Sequence, residues 1–261
     1  MSNLIIEDLK DSILKITLNN PSQQNTLSLQ FINDLKKIFE NADSNDEIKV
    51  IILSSSGKVF SAGHNLKEIK SHRQDKDQGL QFFKDLINSC SDLMLKIIHN
   101  SKPVIAEVNG IATAAGCQLV ASCDLAYASQ VSKFATPGVN IGLFCSTPMV
   151  ALSRVVKNKH SMEMLLTGDF IDADKAKSIG LINNYFSEDK LVNETREMAV
   201  KIANKSSQTV KIGKKAFYNQ AEMNIADAYR YSSQIMIENM MNKDSEEGIA
   251  AFLEKRTPKW P

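Results

Sequence analysis

Residues 59–66 read VFSAGHNL and residues 109–119 read NGIATAAGCQL, and these two stretches decide how the chain is interpreted. Each contains a turn of small residues, at which the backbone can approach a ligand closely. Each is followed by residues compatible with a helix, whose first N–H groups have no partner inside that helix. Two such N–H groups directed at one point would stabilise a developing oxyanion. The pair of turns therefore predicts chemistry on a carbonyl group.

The composition argues against several other classes of function. The 261 residues carry a net charge of +1, and no long run of like charges favours nucleic acid or an anionic membrane. No apolar stretch approaches the roughly 18 residues of a membrane-spanning helix. The first residues, MSNLIIED, show no basic or Arg-rich leader. We therefore expect a cytoplasmic protein, or a mitochondrial matrix protein if the chain is a trimmed eukaryotic form.

The four cysteines show no Cys-x-x-Cys pair, and no His lies at metal-ligand spacing from them. We therefore expect no metal site and four buried thiols in a reducing compartment. A nucleophilic Cys145 would need a base, and no His lies close to it in sequence.

Alternating apolar and polar residues predict a half-buried strand at 14–18, and apolar runs predict buried strands at 50–53 and 103–108. Two shorter strands are predicted at 125–128 and 133–135. Apolar residues at helical spacing predict a helix after a Ser28 cap, and further helices over 78–99, 172–179, 188–204, 208–220, 224–241 and 244–254. Gly180 should end the helix over 172–179. Strand, turn and helix thus recur early in the chain, whereas the chain beyond about residue 160 is mainly helical. The pattern indicates a protein of the α/β class.

In this order, the stretches resemble the crotonase family, the enoyl-CoA hydratase/isomerase superfamily. The likeness covers nearly the whole chain, and residues 134–148 resemble a divergent subgroup of the family. The segments that carry it are FSAGHNL at 60–66, PVIA at 103–106 leading into NG at 109–110, AAGCQL at 114–119, CDLA at 123–126, residues 134–142, MEMLLTG at 162–168, AKSIGL at 176–181 and FLEKR at 252–256.

This resemblance implies a crotonase-like spiral of ββα turns with a helical C-terminal trimerisation region. Residues 1–195 would form the spiral core and residues 196–261 the oligomerisation region, in a homotrimer or a hexameric dimer of trimers. The resemblance also implies a lyase of the enoyl-CoA hydratase type, acting in fatty acid metabolism. The ligand would be an acyl-CoA or enoyl-CoA, so that coenzyme A is part of the substrate and no separate cofactor is needed.

The resemblance further implies roles for individual residues. The backbone N–H groups of His64 and Ala115 correspond to the two oxyanion donors of the family. The carbonyls around Ala62 and His64 correspond to groups that hold the adenine amine, and Lys255 to residues that meet the nucleotide end of coenzyme A. Further candidates for binding coenzyme A or the acyl group are Gln24, Lys67, Gly116, Gly138 and Cys145.

The His64 side chain admits two interpretations. It could act as a general base, because His titrates near neutral pH. Alternatively, it is a turn residue whose side chain lines the coenzyme A channel while its backbone supplies the oxyanion donor.

The family's hydratases use two glutamates, and at their positions this chain has Gln118 and Gly138. Hydration needs one group to take a proton and another to deliver one. An amide can orient water but cannot exchange a proton at neutral pH, and glycine has no side chain. Two alternatives follow. One is an enzyme with altered acid–base groups, in which Gln118 positions water or the reaction is another one, such as isomerisation or thioester hydrolysis. The other is a non-catalytic acyl-CoA-binding protein.

Overall fold

The computed structural model describes residues 4–260, and this part of the chain forms ten strands and eleven helices. Two short 3-10 turns lie at Pro21–Gln23 and Pro137–Ile141. The strands are β1 (Ile5–Lys10), β2 (Ile13–Leu18), β3 (Val50–Ser55), β4 (Val59–Ser61), β5 (Val104–Val108), β6 (Ile111–Thr113), β7 (Leu125–Ser129), β8 (Lys133–Ala135), β9 (Ile171–Asp172) and β10 (Asn184–Phe186). The helices are α1 (Leu29–Ser44), α2 (Leu66–His72), α3 (Leu80–His99), α4 (Ala115–Ser122), α5 (Ser146–Val155), α6 (Asn158–Thr167), α7 (Ala173–Ser178), α8 (Glu188–Ala203), α9 (Ser207–Ala221), α10 (Ile225–Met240) and α11 (Lys243–Leu253).

The strands form two sheets, with the orders β1-β2-β3-β5-β7-β10 and β4-β6-β8-β9. The outer pairs β1–β2 and β8–β9 are antiparallel, and the remaining pairs are parallel. The pairs β3–β4, β5–β6 and β7–β8 each give one strand to each sheet, and helical residues follow each pair. The predicted spiral of ββα turns is therefore confirmed.

The central strands are buried on both faces, which explains their continuous apolar sequences. Ile51 and Leu53 of β3 face the main core, to which α1 and α3 contribute. Val50 and Ile52 of the same strand face a smaller core that α8 covers. This double coverage fixes the carboxyl ends of β3 and β5, from which the two quoted stretches continue.

The predicted strands and helices are all present, with small shifts at their ends. The Ser28 hydroxyl accepts a hydrogen bond from the Phe31 N–H at 3.2 Å and begins α1. Gly180, with φ of 88°, follows the end of α7 as expected. The prediction missed the exposed edge strand β1, the short strands β4, β6, β9 and β10, and the separate helices α5 and α6. No helix between residues 4 and 260 is long and apolar enough to cross a membrane.

The C-terminal helices are connected to the core through Asp124, which directly precedes β7. The Lys214 ammonium on α9 lies 2.7 Å from one Asp124 oxygen, and the Tyr218 hydroxyl donates to the other at 2.9 Å. Burial, followed by the neighbouring Asp124 carboxylate, raises the pKa of Tyr218. Asp124 therefore has a structural role. The boundary predicted at residue 195 lies inside α8, and the division into two regions stays a prediction.

Candidate active site

The first turn follows β4 and is held by backbone hydrogen bonds to the segment before α1. The Ala62 N–H donates to the Gln24 carbonyl at 3.1 Å, and the Gly63 carbonyl accepts from the Leu27 N–H at 2.8 Å. Gly63 has φ of 84°, in the left-handed region that favours glycine. The Ser61 hydroxyl donates to the Asn25 carbonyl at 2.9 Å. The path of residues 61–64 is therefore fixed before any ligand binds.

The second turn follows β6 and contains a strained residue. Ala114 has φ of 50° and ψ of −119°, a conformation that residues with a Cβ rarely adopt. Its N–H donates to the Ala135 carbonyl at the end of β8, at 3.0 Å, and this bond holds the turn in place. Because α4 begins at Ala115, the N–H of Ala115 has no acceptor within the helix. Strain of this kind is found at functional sites.

The two turns touch each other through their glycines. A methyl group added at Gly116 would lie 2.2 Å from the Ser61 carbonyl oxygen, closer than any real contact. A methyl group added at Gly63 would lie 3.2 Å from the Ala115 nitrogen. The structure therefore brings the two sequence-predicted turns together, with the backbones around His64 and Ala115 side by side.

An open pocket of about 360 Å³ adjoins the first turn. Four residues that were predicted to bind coenzyme A or the thioester carbonyl line this pocket: Gln24, Ala62, His64 and Lys67. The sequence analysis missed the pocket's other lining residues. Of these, only Asn65 has a recognisable role in the local sequence, because asparagine is a favoured residue at the start of a helix and Asn65 caps α2. The missed residues are Ser22, Gln23, Thr26, Asn65 and Leu66.

The His64 side chain is half-buried, and neither ring nitrogen forms a hydrogen bond within the described residues. Burial lowers the pKa of the imidazole, and the Leu27 backbone offsets part of that shift. Burial therefore favours the uncharged form of the ring. Because both nitrogens lie away from the surface, the geometry favours the interpretation of His64 as a lining residue over that of a general base.

Gln118 on α4 and Gly138, in the 3-10 turn after β8, are both buried. Gln118 is only 4% exposed, and its Oε1 has no hydrogen-bond partner in the described part of the chain. A methyl group added at Gly138 would lie 2.6 Å from the Leu143 carbonyl oxygen and 2.9 Å from the Cys145 sulfur. The backbone after Gly138 therefore leaves no room for a glutamate at this position.

Cys145 is buried beside Gly138, and burial raises the pKa of its thiol. The same cause raises the pKa of Cys117 on α4 to about 12. Both sulfurs are therefore protonated thiols at neutral pH. A neutral thiol is a poor nucleophile, so the geometry gives no support to covalent catalysis by Cys145.

Lys255 follows α11 and is exposed, and it is not among the residues that line the pocket beside the first turn. Its contact with the nucleotide end of coenzyme A stays a prediction. The sequence analysis also missed Thr136, whose hydroxyl is buried without a partner in the described structure. Thr136 gave no signal because a threonine before a proline is typical of an ordinary turn.

A sequence profile described as enoyl-CoA hydratase/isomerase matches residues 8–261. With the two-sheet spiral and the paired turns, this match shows that the chain belongs to the enoyl-CoA hydratase/isomerase family.

Two relatives are named enoyl-CoA hydratase domain-containing protein 3, mitochondrial. The Homo sapiens protein is 49% identical over 96% of this chain and 81% of its own length. The Xenopus laevis protein is 46% identical over 98% of this chain and 86% of its own length. These relatives confirm that the chain resembles a particular subgroup of the family.

Solved structures agree with this assignment. The crystal structure of human enoyl coenzyme A hydratase domain-containing protein 3 gives a TM-score of 0.94 at 45% identity, covering 99% of this chain and 100% of that one. An enoyl-CoA hydratase from Mycobacterium smegmatis gives a TM-score of 0.94 at 43% identity, covering 99% of each chain.

Replacement of Gly116 by Ala should destabilise the protein by about 2 kcal/mol, because the added methyl group overlaps the Ser61 carbonyl oxygen. Urea unfolding measures the effect. The matched control is Gly213→Ala on α9, where an added methyl group meets nothing within 4 Å and should stabilise the helix by about 0.5–1 kcal/mol. A Gly116→Ala protein as stable as the unaltered chain would contradict the described contact between the turns.

Proposed function

We propose that this protein binds a coenzyme A thioester and polarises its carbonyl with the backbone N–H groups of His64 and Ala115. The observation that carries this proposal is the contact between the two turns through Gly63 and Gly116. Two N–H groups directed at a developing oxyanion are a strong electrostatic device in a buried site. Both donors belong to the main chain, so the presence of His at position 64 does not affect them.

In this proposal the pocket beside the first turn receives coenzyme A. The carbonyls around Ala62 and His64 would accept from the adenine amine, and Gln24 and Lys67 line the same pocket. Lys67 is exposed and positively charged, which suits a phosphate group. Lys255 would meet the nucleotide end, and Gly116, Gly138 and Cys145 would border the acyl group. Coenzyme A is then part of the ligand rather than a separate cofactor.

Membership of the family supports a lyase-type enzyme of fatty acid metabolism. Gln118 and Gly138, at the proposed acyl end, support an enzyme whose acid–base groups differ from those of a hydratase. Gln118 can orient a water molecule, but neither it nor Gly138 can transfer a proton as a carboxylate does. The second candidate function is non-catalytic binding of acyl-CoA, which the neutral acyl end favours. Isomerisation and thioester hydrolysis also remain as alternative reactions.

The relatives' names include the word mitochondrial, which supports the matrix over the cytoplasm as the location.

We expect acetoacetyl-CoA to bind and free acetoacetate to show no detectable binding, because the pocket of Gln24 and Lys67 would contact only coenzyme A. Isothermal titration calorimetry measures both. Lys67→Met should weaken acetoacetyl-CoA binding by up to about fivefold, the effect of an exposed ion pair. The control Lys36→Met, on α1 and paired with Asp92, should leave binding unchanged. Equal binding of the two ligands, or binding of neither, would refute the proposed function.

Hydration of crotonyl-CoA should be slower by about 10²–10⁴-fold for each missing proton-transfer group than in a hydratase with both glutamates assayed alongside. The loss of the enoyl absorbance measures the rate. Gln118→Glu should raise the rate only slightly, because acid and base act as a unit and Gly138 has no space for the second carboxylate. Rapid hydration by the unaltered protein would show that other groups perform the proton transfers.

We also propose assembly into a homotrimer or a dimer of trimers. The C-terminal helices α9 to α11 expose large apolar side chains, more than a monomer usually leaves in contact with water. These residues are Phe217, Ile225, Tyr229, Met236, Ile237, Met240, Met241, Ile249, Phe252 and Leu253.

Light scattering should give a mass of three or six chains. Phe252→Glu should shift the mass towards smaller species, because a buried unpaired charge opposes association. The control Ile6→Glu changes an exposed apolar residue of β1, outside these helices, and should leave the mass unchanged. A stable monomer of the unaltered protein at micromolar concentration would reject the assembly.

A further inference from the structure

We infer that a cavity lined by four lysines, at the amino ends of β3 and β5, is a binding site for a small anion that carries phosphate groups. The cavity encloses about 180 Å³, and the four residues are Lys49, Lys102, Lys205 and Lys211. The inference does not depend on the proposed function, because none of the described residues lines both this cavity and the pocket beside the first turn.

The cavity is separated from the candidate active site by the length of the strands. Lys49 directly precedes β3, and Lys102 lies two residues before the start of β5. Both strands run from the cavity towards the two turns of the candidate active site, which follow beyond their carboxyl ends. A strand of five or six residues spans about 17–20 Å. An anion in this cavity would therefore not contact a ligand at the two turns.

The lysine side chains of the cavity are not paired with carboxylates. None of the four forms an ion pair or a side-chain hydrogen bond within residues 4–260. Asp46 alone is acidic among the described residues that line the cavity. Lys49 and Lys102 are also half-buried, and like charges repel each other more strongly where they are partly removed from water. The cavity is therefore a region of positive potential that a bound anion would neutralise.

The backbone that carries the two half-buried lysines is held by the core. The Lys49 N–H donates to the Ser12 carbonyl at 2.8 Å. The Lys102 carbonyl accepts from the Lys214 ammonium on α9 at 3.0 Å. These bonds fix the chain on both sides of the cavity, so the lysines are brought together by the fold itself.

The start of α9 adds backbone donors to the same cavity. Ser207 and Gln208 line it, and their N–H groups have no acceptor within the helix because they are its first two residues. The Ser206 hydroxyl caps the helix by accepting from the Thr209 N–H at 2.9 Å, which does not use the first two amides. The N-terminus of a helix favours an anion. Amides and ammonium groups around one cavity are the donors that bind phosphate oxygens.

The size of the cavity indicates a small ligand. Pockets for drug-sized molecules usually enclose about 300–1,000 Å³, whereas this cavity encloses about 180 Å³. The four positive charges favour an anion with more than one negative charge. Inorganic diphosphate meets both requirements and is the probe for the test.

Isothermal titration calorimetry should detect binding of diphosphate to the unaltered protein. Lys49→Met and Lys102→Met should each weaken it about tenfold, the effect of losing one hydrogen bond to a charged group. The matched control Lys159→Met removes the same charge from an exposed position on α6, outside the cavity, and should leave binding unchanged. Added sodium chloride should weaken binding, because salt screens the lysine charges.

Three results would overturn the inference. The first is no binding of diphosphate to the unaltered protein. The second is equal weakening by Lys49→Met and Lys159→Met, which would show attraction by net charge alone. The third is weakening by Lys67→Met but not by Lys49→Met, which would place the diphosphate in the pocket beside the first turn, where the phosphates of coenzyme A are proposed to bind.

Discussion

The close approach of the Ser61 carbonyl to Gly116 is the constraint on which the site depends. It joins the end of β4, in the first spiral turn, to the start of α4, in the second. Any side chain at position 116 would separate the two, because an added methyl group would lie 2.2 Å from the oxygen. The spiral places β4 and β6 side by side in the smaller sheet, so the turns that follow these strands meet at one edge. The stacking of ββα turns that forms the fold therefore also brings together the backbones around His64 and Ala115.

The strain at Ala114 belongs to the same arrangement. Its left-handed φ points the chain into α4 while its N–H bonds to the end of β8, in the third spiral turn. Three successive spiral turns therefore determine where α4 begins. A non-glycine residue persists in such a conformation only when its surroundings determine it more than once. Here the contact at Gly116 and the bond to Ala135 do so, and the N-terminal amide of α4 is consequently rigid.

The sequence predicted the central strands that are buried on both faces, the half-buried strand β2 with its alternating pattern, and the helices whose apolar faces are wide. The runs at 50–53 and 103–108 were recognisable because both faces of β3 and β5 are covered. β1 was missed because IIEDLK lies at the sheet edge and exposes nearly every residue, which leaves no alternation of apolar and polar positions. β4 and β6 were missed because each contributes only three residues directly before a small-residue turn, although β8, which is equally short, was predicted. Contacts distant in sequence, such as Gly116 with Ser61, leave no local pattern.

The sequence predicted some features of the candidate site and missed others, as it did for the fold. The two small-residue turns located the candidate backbone donors at His64 and Ala115. The sequence itself shows that positions 118 and 138 hold glutamine and glycine rather than glutamate. The crowding of Gly138 by Leu143 and Cys145 could not be predicted, because it depends on the path of the chain after the 3-10 turn at Pro137–Ile141. Nor could the sequence show that the nitrogens of His64 point into the protein. Both properties depend on tertiary packing rather than on residue type.

The proposed acyl end of the site combines an uncharged buried residue, Gln118, with close packing at Gly138. A carboxylate at position 118 would be almost completely buried, and burying an unpaired charge costs far more than burying an amide. It would therefore take up a proton, because burial favours the uncharged form and raises a carboxyl pKa. Gln118 avoids that cost because its amide is uncharged. Neither position 118 nor position 138 carries a carboxylate, and the packing at Gly138 leaves no space for one. In the proposed function, such a site would recognise a thioester by hydrogen bonds and shape, and its reaction would depend on the backbone amides of His64 and Ala115 more than on a side-chain acid and base.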